Sequence, residues 1–263
     1  MSDNLVIAGK EYKSRLILGT GKYRTMEEMV AAVEASRCEM ITVAIRRLNL
    51  DDPSKKTLLD YIDWDKYVIL PNTAGCKTAE EALFTARLAR EITGSNLIKL
   101  EVIPNPDYLL PDPIGTYEAA IQLLEDGFTV LPYIHADPIL AQKLEELGCA
   151  TVMPLGSPIG SGQGIQTADE IKIIIAEAKV PVVVDAGLAV PSEASQSMEL
   201  GADAVLVNSA IAQAQDPALM ATAFRQGVEA GRKAYLAGRI PRKDLGAASS
   251  PVEGVARPAG TRS

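Results

Sequence analysis

The sequence predicts an α/β protein folded as a single (β/α)8 barrel. Three observations carry this: short β-branched apolar runs alternate with amphipathic helical segments, the runs number eight, and 263 residues suits such a barrel. An open doubly wound sheet usually stops at about five or six strands.

In chain order, "LVIAGKEYKSRL" (5–16) contains a short hairpin placed to cap the barrel floor. The eight strand runs are "RLILGT" (15–20), "MITVAI" (40–45), "YVILPN" (67–72), "NLIKLEVI" (96–103), "FTVLPYI" (128–134), "ATVMPLG" (150–156), "PVVVDAG" (181–187) and "ADAVLVNSA" (202–210). Each is a short, largely apolar run containing β-branched residues, as a strand should be. Between them run "TAEEALFTARLAREITG", "TYEAAIQLLEDG", "DPILAQKLEELG", "TADEIKIIIAEAK" and "VPSEASQSMELG", with Ser, Thr or Asp near several starts and Gly at several ends. A last helix is expected from about Pro217 to Arg239. The barrel domain thus spans 1–239, and 240–263, ending "GAASSPVEGVARPAGTRS", is poor in large apolar residues and is expected to form a mobile tail.

Composition narrows the function. A formal charge of -8 argues against nucleic acid or an anionic membrane as partner, leaving small molecules and proteins. No apolar run is long enough to span a bilayer, and Cys38, Cys76 and Cys149 are too few and too scattered for a disulfide framework or a zinc site. A cytoplasmic protein without metal or cofactor is the expectation. The single histidine, His135, argues against a histidine-based triad and reads as a loop residue. Cys76 reads as a small packed residue at a helix start.

Barrels of this kind carry their chemistry at the C-terminal ends of the strands. Lys99 and Glu101 in the fourth run, Asp185 in the seventh, and Asn208 and Ser209 in the eighth would ring one mouth. Lys99 and Glu101, two apart, share a strand face opposite Ile98, Leu100 and Val102. Lys99 is either an ion-paired lysine or a desolvated amine able to attack a carbonyl; Glu101 is its salt-bridge partner or a proton carrier. Asp185 can equally serve structurally, accepting backbone N–H groups beside Gly187. "MPLGSPIGSGQGIQ" (153–166) is either a flexible loop or, with "DAGLAVPSEA" and "VNSAIA", the phosphate corner usual in this fold. Two broader alternatives stay open on residues alone: a barrel aldolase or isomerase using a lysine imine, and a barrel that only binds a phosphorylated ligand or scaffolds a protein.

Beyond these features, "VAIRR", "LPNTAGCKTAEEA", "IKLEVI", "LLPDPI", "GFTVLPY", "MPLGSPIGSG", "VPVVVDAG" and "ELGADAVLVNSAIA" occur in the order in which they stand in bacterial thiazole synthase, the thiamine-pathway enzyme. The chain resembles that family from about Leu16 to Ala237. The resemblance implies a TIM barrel that condenses 1-deoxy-D-xylulose 5-phosphate, dehydroglycine and sulfur from a carrier protein's C-terminal thiocarboxylate into a thiazole phosphate, as a sulfur-transferring transferase. It implies Lys99 as the Schiff-base lysine and Glu101 and Asp185 as proton carriers. It further implies Gly160, Ala186, Gly187, Asn208 and Ser209 as sugar-phosphate contacts, a homo-oligomer, commonly a tetramer, and a complex with a ubiquitin-like sulfur carrier. Ile134, His135, Ala136, Leu188 and Ala189 depart from the family pattern without touching the reactive positions.

Three further expectations follow. The Lys99 pKa should lie below its ordinary value through burial, with Glu101 opposing. The phosphate should be held mainly by backbone N–H groups, since few basic residues lie in those segments. Arg46 or Arg47 should meet the carrier's terminal carboxylate, unless they only close salt bridges.

Overall fold

The structure, a computed structural model, describes residues 3–47, 56–247 and 249. β1 (Leu5–Ile7) and β2 (Lys10–Tyr12) form an antiparallel hairpin. Eight parallel strands follow: β3 (Leu16–Gly19), β4 (Met40–Ala44), β5 (Val68–Asn72), β6 (Leu97–Leu100), β7 (Thr129–Ile134), β8 (Met153–Pro154), β9 (Val183–Asp185) and β10 (Ala204–Val207). Their order is β8-β7-β6-β5-β4-β3-β10-β9, and single bridges Val152↔Val182 and Leu155↔Asp185 join the two ends, closing the barrel. All eight expected strand runs are present, and no helix among the described residues is long and apolar enough to cross a membrane.

The outer layer is α1 (Met26–Ser36), α2 (Ala79–Thr93), α3 (Pro113–Glu125), α4 (Pro138–Leu147), α5 (Ala168–Glu177), α6 (Pro191–Leu200), the one-turn α7 (Ser209–Ala212) and α8 (Pro217–Ala237). Sequence explains the helix ends. Thr25, Thr78, Asp112, Asp137 and Asp216 accept from backbone N–H groups of the first turns, and proline sits in the first turn of α3, α4, α6 and α8. Gly94, Gly148 and Gly201 end α2, α4 and α6 in the left-handed region. Between β4 and β5 the described residues form 3-10 turns at Ile45–Arg47 and Leu58–Tyr61.

Alternation along the strands separates two cores. Leu16, Leu18, Ile41, Val43, Ile98, Leu100 and Val102 face outward against the helices, while Ile17, Met40, Leu70, Leu131, Met153, Val183 and Ala204 fill the lower interior. Leu5, Ile7 and Tyr12 of the hairpin join that interior cluster, so the hairpin plugs the floor as expected. Arg15, buried at the start of β3, fastens the floor by donating to the Asp203 carbonyl (2.6 Å) and to Asp3 (2.9 Å); Asp3 in turn accepts from Arg232 of α8.

Six of the eight strands stop short of their expected ends, β6 and β10 by the most. β6 ends at Leu100 because the Thr73 hydroxyl donates to the Glu101 carbonyl and accepts from the Glu101 N–H, both at 2.7 Å, taking the place of the ladder. β10 ends at Val207, and Ser209 opens α7. The last helix ends two residues earlier than expected, at Ala237, with Gly238 at φ 76. Of the expected mobile tail, 240–247 are exposed and carry no helix or strand, while 248 and 250–263 lie outside the described residues.

Candidate active site

Strand alternation points Lys99 into the barrel while its neighbours Ile98 and Leu100 pack outward. Glu101, just past β6, and Asp185, ending β9, meet it there. The Lys99 Nζ lies 3.0 Å from Glu101 Oε1 and 2.7 Å from Asp185 Oδ2, and the three residues are 4%, 4% and 2% exposed. The Asp185 Oδ2 accepts no well-directed hydrogen bond, so its contact with Lys99 is an ion pair set by proximity. The fully buried Tyr133 of β7 presents its ring to the same ammonium, 5.4 Å from Nζ to the centroid, and its hydroxyl reaches the Leu109 carbonyl at 3.4 Å.

The electrostatics overturn the expectation of a lowered lysine pKa. Burial disfavours the ammonium, but Asp185 and then Glu101 outweigh it, and Lys99 sits above its ordinary 10.5. The expectation weighed one carboxylate, and the fold brings two. Asp185 is raised above its ordinary 3.8, first by burial, against the pull of Lys99, with the Glu101 charge adding. One ammonium between two buried carboxylates leaves a net negative cluster, so Asp185 has an enhanced affinity for a proton. Tyr133 is raised as well, by burial and by the same two carboxylates.

Above this cluster opens a cavity of about 950 Å³. Lys99, Glu101, Asp185, Gly160, Ala186, Gly187, Asn208 and Ser209 all line it, so the fold gathers these eight expected site residues at one mouth. Its glycine corner is built from left-handed backbone: Gly160 at φ 72, Gly162 at 62, Gly164 at 74, and the pair Ala186 at 66 and Gly187 at 78. Gly187 has no substitute, because a Cβ there would lie 1.9 Å from Ser157 Oγ. Asn208 turns its amide nitrogen to the carbonyls of Gly19 (3.3 Å) and Gly21 (2.9 Å), drawing the loop after β3 against the end of β10. Gly19 is required for that approach, since a Cβ would meet the Asn208 side chain at 2.4 Å.

Sequence reasoning missed Lys22. It stands in that loop in the left-handed region (φ 70), lines the cavity, and brings its Nζ to 3.3 Å from the position of a Cβ on Gly160. The signal was "GTGK" directly after the first barrel strand, two glycines leading to a cation at a strand's C-terminal end. Thr73 was missed too, for want of any local cue.

Arg46 bonds instead to the N-terminal region of α2, with Nη1 at 2.7 Å from the Gly75 carbonyl and 3.0 Å from Glu81 Oε2. The Arg47 side chain lies outside the described residues. His135 is exposed and off the cavity, and Cys76 is buried against Thr85, its thiol pushed up by burial despite Arg46.

Residues 6–251 match the family described as "Thiazole biosynthesis protein ThiG". The thiazole synthase of Trichodesmium erythraeum is 60% identical over 256 residues, covering 95% of this chain and 92% of that protein. The bifunctional protein ThiO/ThiG of Trichormus variabilis is 60% identical over 260 residues, 97% of this chain; the chain spans 40% of its length. Among solved structures, the Amycolatopsis orientalis BexX/CysO complex contains a chain that superposes with TM-score 0.82 at 33% identity, covering 92% of this chain and 98% of that one. The 3-hexulose-6-phosphate synthase of Salmonella typhimurium, at 19% identity and TM-score 0.58, shares the fold, with 82% of this chain and 98% of that one covered.

Proposed function

The chain belongs to the ThiG thiazole-biosynthesis family, and we propose that it is a thiazole synthase condensing 1-deoxy-D-xylulose 5-phosphate, dehydroglycine and carrier-borne sulfur into thiazole phosphate through a Schiff base at Lys99. The observation that carries the reading is a buried lysine held between two carboxylates at the foot of a cavity whose rim is a left-handed glycine corner. A lysine whose purpose was packing would need one partner.

Imine formation needs a neutral amine. Lys99 gives its proton to Asp185, whose Oδ2 lies 2.7 Å away and whose burial raises its proton affinity. The amine then adds to the sugar ketone, the carbinolamine forms, and it loses its hydroxyl as water once protonated. Asp185 is placed to return that proton. Glu101, fixed through its backbone by Thr73, stabilises the iminium charge at 3.0 Å from the nitrogen and moves protons in the rearrangements that follow. The barrel keeps this chemistry away from bulk water.

Gly160, Ala186, Gly187 and Ser209 hold the substrate phosphate at the glycine corner, the place where this fold commonly binds one. Asn208 contributes by shaping that corner through Gly19 and Gly21. A relative of known structure was solved as a BexX/CysO complex, which supports a small sulfur-carrier protein as partner. Its C-terminal thiocarboxylate enters at the mouth, since sulfur must reach a buried imine. A homotetramer in the cytoplasm completes the reading.

Borohydride reduction of the protein with 1-deoxy-D-xylulose 5-phosphate, followed by peptide mass spectrometry, tests it. The expected result is a single reduced adduct on Lys99. An adduct with triose phosphates and none with the deoxyxylulose phosphate would replace the reading with a barrel aldolase or isomerase.

A further inference from the structure

We infer that Lys22 is a phosphate-recognising side chain of the cavity, reading the charge of the sugar phosphate from a loop distant in sequence from the glycine corner. The inference rests on the sugar-phosphate reading above and assigns a residue that reading does not use.

Three observations converge on it. Lys22 adopts φ 70, a region that a lysine enters at a steric penalty, at the tip of the Gly19–Tyr23 turn. Asn208 holds that turn by its amide, at 3.3 Å from the Gly19 carbonyl and 2.9 Å from that of Gly21, so the strained tip is fixed against the end of β10. The conformation delivers the ammonium to the anion corner: around the bare α-carbon of Gly160, the position of a Cβ lies 3.3 Å from Lys22 Nζ and 3.6 Å from Ser209 Oγ. A cation, a hydroxyl and a side-chain-free backbone thus face one spot. A phosphate oxygen fits such a grouping, and a neutral hydroxyl group would use little of it.

Charge balance singles out this lysine. Among the described residues the acidic ones lining the cavity are Glu101 and Asp185, and a dianion entering toward them meets repulsion that the far end must offset. Of the four lysines that line it among the described residues, Lys99 is occupied by those carboxylates, Lys56 lies over the Tyr61 ring at 5.6 Å, and Lys77 stands beside Glu81, whose carboxylate accepts the Lys77 N–H. Lys22 is the one placed at the glycine corner, and among the described residues no carboxylate pairs with it.

The test uses the full chain with Lys22→Gln, Lys22→Asn and Lys22→Arg, Asn being included because it tolerates the left-handed region. Inorganic phosphate is titrated first, by calorimetry. Gln and Asn should weaken its binding about tenfold, as expected for a lost charge-assisted hydrogen bond, and Arg should restore most of it. Borohydride trapping at Lys99 is then compared for 1-deoxy-D-xylulose 5-phosphate and for unphosphorylated 1-deoxy-D-xylulose. Gln should raise the half-saturating concentration of the phosphorylated ketose by a similar factor, leave trapping at saturation near wild type, and leave the unphosphorylated ketose unchanged. Phosphate binding equal in wild type and Gln, with both folded by circular dichroism, overturns the inference. An equal loss for both ketoses also overturns it, because it marks a structural role for the turn. Failure of the wild type to be trapped by either ketose sinks the substrate reading alone, since the phosphate titration still decides Lys22.

Discussion

The floor and the mouth of this barrel are opposite ends of the same eight strands, yet they are built on opposite rules. The floor is closed by apolar contact: Ile17, Met40, Leu131, Met153 and Val183 interlock beneath the hairpin residues Leu5, Ile7 and Tyr12. Inward-facing positions at the mouth hold Lys99 and Asp185, with Glu101 beside them, and the loops above run through left-handed backbone. The floor gains stability from each inward side chain, whereas the mouth carries buried charge and unfavourable dihedrals that the rest of the domain must offset. Strand alternation directs side chains inward at both ends, and residue type decides whether that inward position serves packing or chemistry.

Breaking the mouth should remove chemistry outright. Lys99→Ala is expected to abolish borohydride trapping and, by leaving Glu101 and Asp185 buried without their cation, to destabilise the fold by about 3–5 kcal/mol, read from urea unfolding at neutral pH. Trapping at another lysine would dissolve the contrast between the two ends.

Breaking the floor should do the reverse. Leu131, fully buried in the lower interior, is expected on truncation to Ala to lose about 2–5 kcal/mol, while Lys99 trapping in the remaining folded protein stays near wild type. A floor variant that loses trapping at full folding would show the two ends to be mechanically coupled.

The pH dependence sharpens the comparison. Because the folded pKa of Asp185 is raised above 3.8, its contribution to stability is fully present below that value and falls as pH rises through the folded pKa. Lys99, also raised, contributes stability that is fully present below its ordinary 10.5 and is lost as pH rises through its higher folded value. Asp185→Asn should flatten the acid-side decline in unfolding free energy measured from pH 4 upward. An unchanged slope would remove Asp185 as its source.

The smallest expected effect is at Thr73. Thr73→Val removes the hydroxyl that bonds both backbone groups of Glu101, and about 1–3 kcal/mol of stability should go with it. Trapping should slow with little change in half-saturation by the ketose, since Glu101 shifts and the anion corner does not. A change confined to half-saturation would contradict that division.

The barrel was legible because each strand is an apolar run and the count of eight selects the architecture. Its five charged and polar mouth residues, Lys99, Glu101, Asp185, Asn208 and Ser209, were legible through placement at strand ends. What could not be read is what depends on distant partners. The direction of the Lys99 pKa is not legible locally, because Asp185 comes from β9, across the barrel. Sequence leaves Arg46 open between a terminal carboxylate and a salt bridge, because its partner Glu81 belongs to the next helix. β6 is shorter than its apolar run suggests because Thr73 intercepts Glu101, and Lys22 has no local sign because the glycine it meets, Gly160, lies far along the chain.

The Asn208 amide has a consequence in time. By holding Gly19 and Gly21 it ties the first strand's loop to the last strand's end, where β3 and β10 are neighbours in the sheet. During synthesis Lys99 emerges from the ribosome long before Asp185 and Asn208. Until the chain has extended past them, neither the second carboxylate nor the clamp on the Lys22 turn exists. The lysine cluster and the glycine corner therefore both wait on contacts of long sequence separation, of the kind that form slowly in parallel barrels.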